Sequence, residues 1–136
     1  MAISEIETFL EDWQEDPRGV KPVFYRLALE LKAKGAELEL VIRTGVTASL
    51  RAKLPEQTQR PLFCLVDVVE DVEGRWLSVC FYAEAVTDPD ELGNPVPSGL
   101  LEEDGYCFDL EEPDAGLESY LGPRMDESIA FVRSHG

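Results

Sequence analysis

The spacing of the hydrophobic residues changes at Gly35, from a helical period to a strand period, and that change limits the fold more than any other feature. Before it, Ile6, Phe9, Leu10 and Trp13 recur at i, i+3, i+4 and i+7, the stripe of one helical face. Ser4-Glu5-Ile6-Glu7 has the form of a capping box, with a serine to cap the first turn and a glutamate three residues on to reach back to it. Pro17-Arg18-Gly19 ends that helix. A second helix is expected from Pro22, which suits a first-turn position, to Gly35. Val23/Phe24, Leu27/Ala28 and Leu31 point inward, and Lys32 and Lys34 favour the C-terminal end of the helix dipole.

After Gly35 the period falls to two. Leu38, Leu40 and Ile42 alternate within Glu37 to Arg43, and Val46 to Leu54 alternates again after Thr44-Gly45, which together read as a β-hairpin. The second arm carries an opposing signal. Its Ala, Leu, Arg and Lys residues favour helix, and Val46, Leu50 and Leu54 also fit an i+4 spacing. Further strands are expected over Pro61 to Glu70, over Arg75 to Val86 after a Val72-Glu73-Gly74 turn, and over Gly105 to Leu110 after a long polar loop. The tail from Ala115 to Ser134 is helical by pattern, with Gly122-Pro123 breaking or kinking it into two pieces. The order predicts one α+β domain over residues 1–136: an antiparallel β-meander of about five strands, with two N-terminal helices and a C-terminal helix packed on one face. At 136 residues such a unit buries roughly two thirds of the surface its unfolded chain exposes, enough for a core without metals or cross-links.

Several chemistries lack their parts. The only histidine is His135, next to the last residue, so neither a Ser/His/Asp nor a Cys/His relay has its imidazole in an ordered place. No G-x-G-x-x-G, phosphate-cradling glycine loop or H-E-x-x-H occurs, and no cofactor is expected. Cys64, Cys80 and Cys107 sit in apolar or aromatic runs rather than at paired metal-ligand spacings, and read as reduced, buried thiols. No apolar run approaches the roughly 20 residues of a membrane helix, and the N-terminus lacks a secretory pattern, so a cytoplasmic protein away from membranes is expected.

Charge is unevenly distributed. Residues 1–60 carry nine Lys/Arg against ten Asp/Glu, and residues 61–136 carry three against eighteen. A net charge of −16 repels a phosphate backbone and argues against direct nucleic-acid binding, while leaving open an acidic surface that imitates DNA toward a basic protein. Arg43, Arg51, Lys53 and Arg60 gather near the first hairpin, as an anion site or as partners for acidic neighbours, and the segregated charges favour self-association without fixing a subunit number.

Two segments carry the site expectations. Asp88, Asp90 and Gly93 fall at positions one, three and six of a calcium-loop pattern, which then fails at Leu92 and at Gly99, where oxygen ligands are required. In the Arg75 to Val86 strand, alternation sets Trp76, Ser78, Cys80, Tyr82 and Glu84 on one face, a mixture of apolar and directed polar groups resembling a ligand groove. Asp67 in the neighbouring strand, and Tyr106 and Cys107 in the last one, are candidates for the same surface. The residues thus point to a small acidic module that binds a protein or small molecule through Asp67, Trp76, Cys80, Tyr82, Glu84, Tyr106 and Cys107. The alternatives are an enzyme using Asp67 or Glu84 in acid/base chemistry, and an acidic mimic that inhibits a basic partner.

Overall fold

A computed structural model describes residues 3–43 and 46–136, without the side chain of Arg43. The elements are α1 (Ile3–Asp12), α2 (Lys21–Ala33), β1 (Glu37–Arg43), β2 (Val46–Lys53), β3 (Cys64–Asp71), β4 (Gly74–Tyr82), a 3-10 turn (Ala83–Ala85), β5 (Asn94–Leu100), β6 (Glu103–Leu110) and α3 (Ala115–His135). The six strands form one antiparallel sheet in the order β1-β2-β3-β4-β6-β5. The first four are a meander. The chain then crosses to the far edge as β5 and returns as β6 between β5 and β4. The expected Thr44-Gly45 turn lies outside the described residues.

Alternation gives the sheet two unlike faces. Leu40, Leu50, Val66, Val79 and Phe108 are successive cross-strand partners, and this apolar row faces the helices. One residue along, the row reads Val41, Ser49, Asp67, Ser78 and Asp109, so a single-residue slip would move the core set to the opposite face. All three helices pack on the apolar side. Tyr120 of α3 meets Phe108 with ring centroids 6.0 Å apart, and the Arg75 guanidinium lies 5.1 Å from the ring centre of Trp13, just beyond α1. α2 buries Val23, Phe24, Leu27, Ala28 and Leu31, the stripe its sequence predicts. Each large side chain among them contributes about 1.5–3 kcal/mol relative to exposure, before its ordering entropy is subtracted.

Phe24 contacts both Phe9 and Trp13, joining α2 to α1, and the ion pairs Arg26–Glu118 and Lys34–Asp126 join α2 to α3 at 2.9 and 2.7 Å. Among the described residues, no helix is long and apolar enough to cross a membrane.

The structure alters several boundaries. α1 already includes Ile3, so Ser4 belongs to the first turn rather than capping it, and its carbonyl accepts the Thr8 hydroxyl at 3.0 Å. β3 starts at Cys64 instead of Pro61, because residues before it form a loop held by Gln57, whose side chain accepts from the Leu54 amide and donates to the Arg60 and Leu62 carbonyls. β4 ends at Tyr82, its last residue paired with β6, and Ala83–Ala85 turns into a 3-10 segment.

α3 is one helix, not two. Asp114 caps it by accepting the Leu117 amide at 3.0 Å, and burial of Leu121, Met125, Ile129 and Val132 carries it through Pro123. The sixth strand, β5, occupies what reads in sequence as loop. Its first six residues are exposed, and Pro95 and Pro97 suit an edge, where missing amide donors disrupt no neighbouring ladder.

Candidate functional site

The face without helices carries Asp67, Trp76, Cys80 and Cys107 together. Ser49 and Asp67 are directly opposed in β2 and β3, and the Ser49 hydroxyl donates to the Asp67 carboxylate, with Ser49 buried and Asp67 only 9% exposed. On the next strand Ser78 faces Asp67 on one side and Asp109 on the other. Partial desolvation raises the Asp109 carboxyl above the usual carboxylate range, while its hydrogen bond with Ser78 works in the opposite direction. Trp76, half-buried, pairs with Val69 beside this polar row. The face thus combines an indole, aliphatic side chains and carboxylates fixed by serine hydroxyls.

Two of the cysteines are bonded rather than reduced. Cys80 and Cys107 are directly opposed in β4 and β6, and their sulfurs form a disulfide, leaving Cys64 as the free thiol. A spacing of 27 residues gives no hint of this, because the pairing is created by β6 returning beside β4. Cys64 faces the helices, and burial pushes its thiol far above the ordinary value, so it is a packed core residue and not a nucleophile.

Tyr82 and Glu84 belong to a separate recess of about 260 Å³ where β4 gives way to the 3-10 turn. Asp67 does not line it, so the two carboxylates considered as alternative bases lie in different places. Arg60 reaches in from the β2–β3 loop. Its guanidinium sits 5.2 Å from the Tyr82 ring centre and 5.1 Å from that of Phe131, bonds Glu103 through Nε and Nη2 at 3.0 and 2.9 Å, and donates through Nη1 to the His135 carbonyl. Burial and the nearby Glu103 charge push the Tyr82 phenol up to about 12, against the opposing influence of Arg60 and the Leu62 amide.

Tyr106 leaves the expected surface altogether. As the strand neighbour of Cys107 it points to the helix-covered side, where its hydroxyl donates to Asp88 at 2.5 Å. The Tyr120 hydroxyl donates to the same carboxylate at 2.7 Å, and the Leu92 and Gly93 amides add bonds of 3.0 and 2.9 Å. The calcium-like start of this loop is therefore a structural knot: four donors from the protein itself consume the Asp88 oxygens. Among the described residues no group of His, Cys, Asp or Glu side chains is arranged to hold a metal ion.

The expected basic cluster also separates. Arg51 and Lys53 border a recess of about 350 Å³ with Glu37 and Glu39, Arg60 is engaged with Glu103, and the Arg43 side chain lies outside the described residues. Sequence reasoning overlooked Ser49, Asp109 and Phe131. Alternation alone identifies which residues share a face within one strand, but their neighbours emerge only with strand order and register.

No protein-family model, curated protein or solved structure matches this chain.

Proposed function

We propose that this protein is a small acidic interaction module, working in the cytoplasm, which recognises a protein partner through the helix-free face of its sheet. One observation carries the reading: all three helices cover the same side, and the opposite side presents half-buried Trp76 next to the Ser49–Asp67 and Ser78–Asp109 pairs. An aromatic anchor among fixed polar groups suits a binding surface, since aromatic residues at the centre of an interface supply most of its energy. The net charge of −16 favours a basic partner and gives association a strong salt dependence.

The test is partner capture from the protein's own host, using the intact chain, Trp76→Ala, and Arg26→Ala as a control on the helix side. Recovery of a partner by the parent and Arg26→Ala but not by Trp76→Ala supports the reading, provided all three melt cooperatively at similar temperatures. Equal recovery by all three removes the sheet face as the contact. Thiol trapping in the same extract addresses location, because a reducing cytoplasm opens accessible disulfides while an oxidising compartment keeps Cys80 and Cys107 bonded.

A further inference from the structure

We propose that β1 is the contact through which two copies of this chain pair, antiparallel about a twofold axis at Leu40, so that their sheets join edge to edge. This contact is separate from the helix-free face and goes beyond it. β1 is one edge of the sheet, and among the described residues no strand lies beyond it. The two edges differ. β5 is blunted by Pro95 and Pro97, by Ser98 at a φ of 55° and by a register shift against β6. β1 contains no proline or glycine, and the side of it that continues the apolar face carries Leu38, Leu40 and Ile42 with no charge among them. Leu38 is buried, Leu40 half-buried and Ile42 68% exposed, so apolar surface runs out from the core to an uncovered end. An edge of this kind presents backbone N–H and C=O groups beside apolar side chains, and an added strand satisfies both.

The sequence of β1 complements itself when read in the opposite direction. Pairing centred on Leu40 is the antiparallel register that matches all seven residues, and it sets Leu40 on Leu40, Leu38 on Ile42 and Glu39 on Val41. Glu37 falls opposite Arg43 of the second copy at one end, and the twofold axis repeats that match at the other. Residues that face the helices meet residues that face the helices, so the apolar side of one sheet continues into that of the other. Exposed Ile42 gains Leu38 of the second copy as its neighbour. Charge selects the same edge. A net charge of −16 on each chain opposes association in general, but β1 and β2 together carry three Lys/Arg against two Asp/Glu, while β3 to β6 carry one against six. With β6 and β5 at the other end of the sheet, contact through β1 joins the nearly neutral ends and keeps the acidic ends far apart.

The test is sedimentation of the full chain over about 1–200 μM, where a monomer–dimer equilibrium is expected. Ile42→Lys changes an exposed residue and puts a charge on the apolar side of the edge, so the dissociation constant should rise about tenfold or more. Glu37→Arg sets like charges opposite one another at both ends and should weaken the dimer by a similar factor, although it lowers the net negative charge that opposes association. Adding Arg43→Glu to it restores unlike pairs and should recover the parent affinity, a rescue that a general charge effect does not produce. Val96→Lys on the opposite edge should dimerise like the parent. So should Trp76→Ala, which keeps this outcome separate from that of partner capture. Thermal melts establish that each variant is folded, and the charge reversal with its rescue decides the matter if Ile42→Lys is not. A monomer throughout the concentration range, a dimer indifferent to Ile42→Lys, or a charge reversal without rescue would each overturn the proposal.

Discussion

Cys80 and Cys107 face one another across β4 and β6 with their Cα atoms 4.1 Å apart and their sulfurs joined. The bond closes the excursion that carries the 3-10 turn, the Asp88 loop and β5, the part of the sheet with least apolar burial of its own. A cross-link over 27 residues removes denatured-state entropy worth about 3.5 kcal/mol in the chain-entropy description. Urea unfolding with and without reductant should therefore differ by about 2–4 kcal/mol, and Cys107→Ser should match the reduced protein. Coincident unfolding curves would show that the bond contributes nothing to the fold.

Asp88 ties that same excursion to α3, and its ionisation sets a pH window. Burial opposes its charge, but the Tyr106 and Tyr120 hydroxyls and the Gly93 and Leu92 amides outweigh that and hold the carboxyl well below its ordinary 3.8. This contribution is present above 3.8 and is lost as pH falls toward the folded-state value. At the alkaline end, the hydrogen bond to Asp88, followed by burial, raises Tyr106 from 10.0 to about 12, so its contribution is complete below 10 and disappears as pH rises to 12. Asp88→Asn should flatten the acid limb of the stability profile, and Tyr106→Phe the alkaline limb. Thermal melts from pH 2.5 to 11.5 would reveal this, and parallel profiles for parent and variants would refute it.

The parts of this fold legible in the sequence are those in which burial and period coincide. Val23, Phe24, Leu27, Ala28 and Leu31 are core residues of α2 as spaced, and β2 keeps its alternation despite helix-favouring residues because Leu50 pairs between Leu40 and Val66. β5 was illegible for the opposite reason: Asn94-Pro95-Val96-Pro97-Ser98-Gly99 buries nothing and has neither period nor propensity. The candidate site divided for geometric reasons. Tyr106 and Cys107 are adjacent in one strand and must point to opposite faces, and Glu84 left the face of Trp76 and Cys80 when β4 ended at Tyr82.

Gly74 tests how the α1–α2 connection docks on the β3–β4 hairpin. Its φ is +119°, and a Cβ there would come within 2.5 Å of the Pro17 Cγ. Gly74→Ala combines a backbone conformation hostile to side chains with a collision against a rigid ring, so a loss of about 1–3 kcal/mol is expected. The nearby Arg18–Asp71 ion pair at 3.0 Å should loosen with it, detectable as faster amide exchange at Glu73, whose N–H donates to Asp71. A variant as stable as the parent, with unchanged exchange, would show that Pro17 yields freely.

Pro123 lies inside α3 with its ring exposed, while Leu121, Gly122, Arg124 and Met125 around it are buried. The proline has no N–H for the Ser119 carbonyl one turn earlier, a defect that costs up to about 3 kcal/mol in a helix interior. Proline also restricts the unfolded chain, which returns about 0.4–1 kcal/mol where the native backbone accepts it. The balance favours Pro123→Ala as a stabilising change of about 1–2 kcal/mol, measured as a higher urea midpoint with an unchanged slope. The constraint against it sits next door: a Cβ at Gly122 would lie 3.0 Å from Glu30 Oε2, so α3 runs close to α2 there and depends on its present course. A destabilised Pro123→Ala would mean that the proline bends α3 to keep that approach, and that the helix fits the core because of its defect rather than in spite of it.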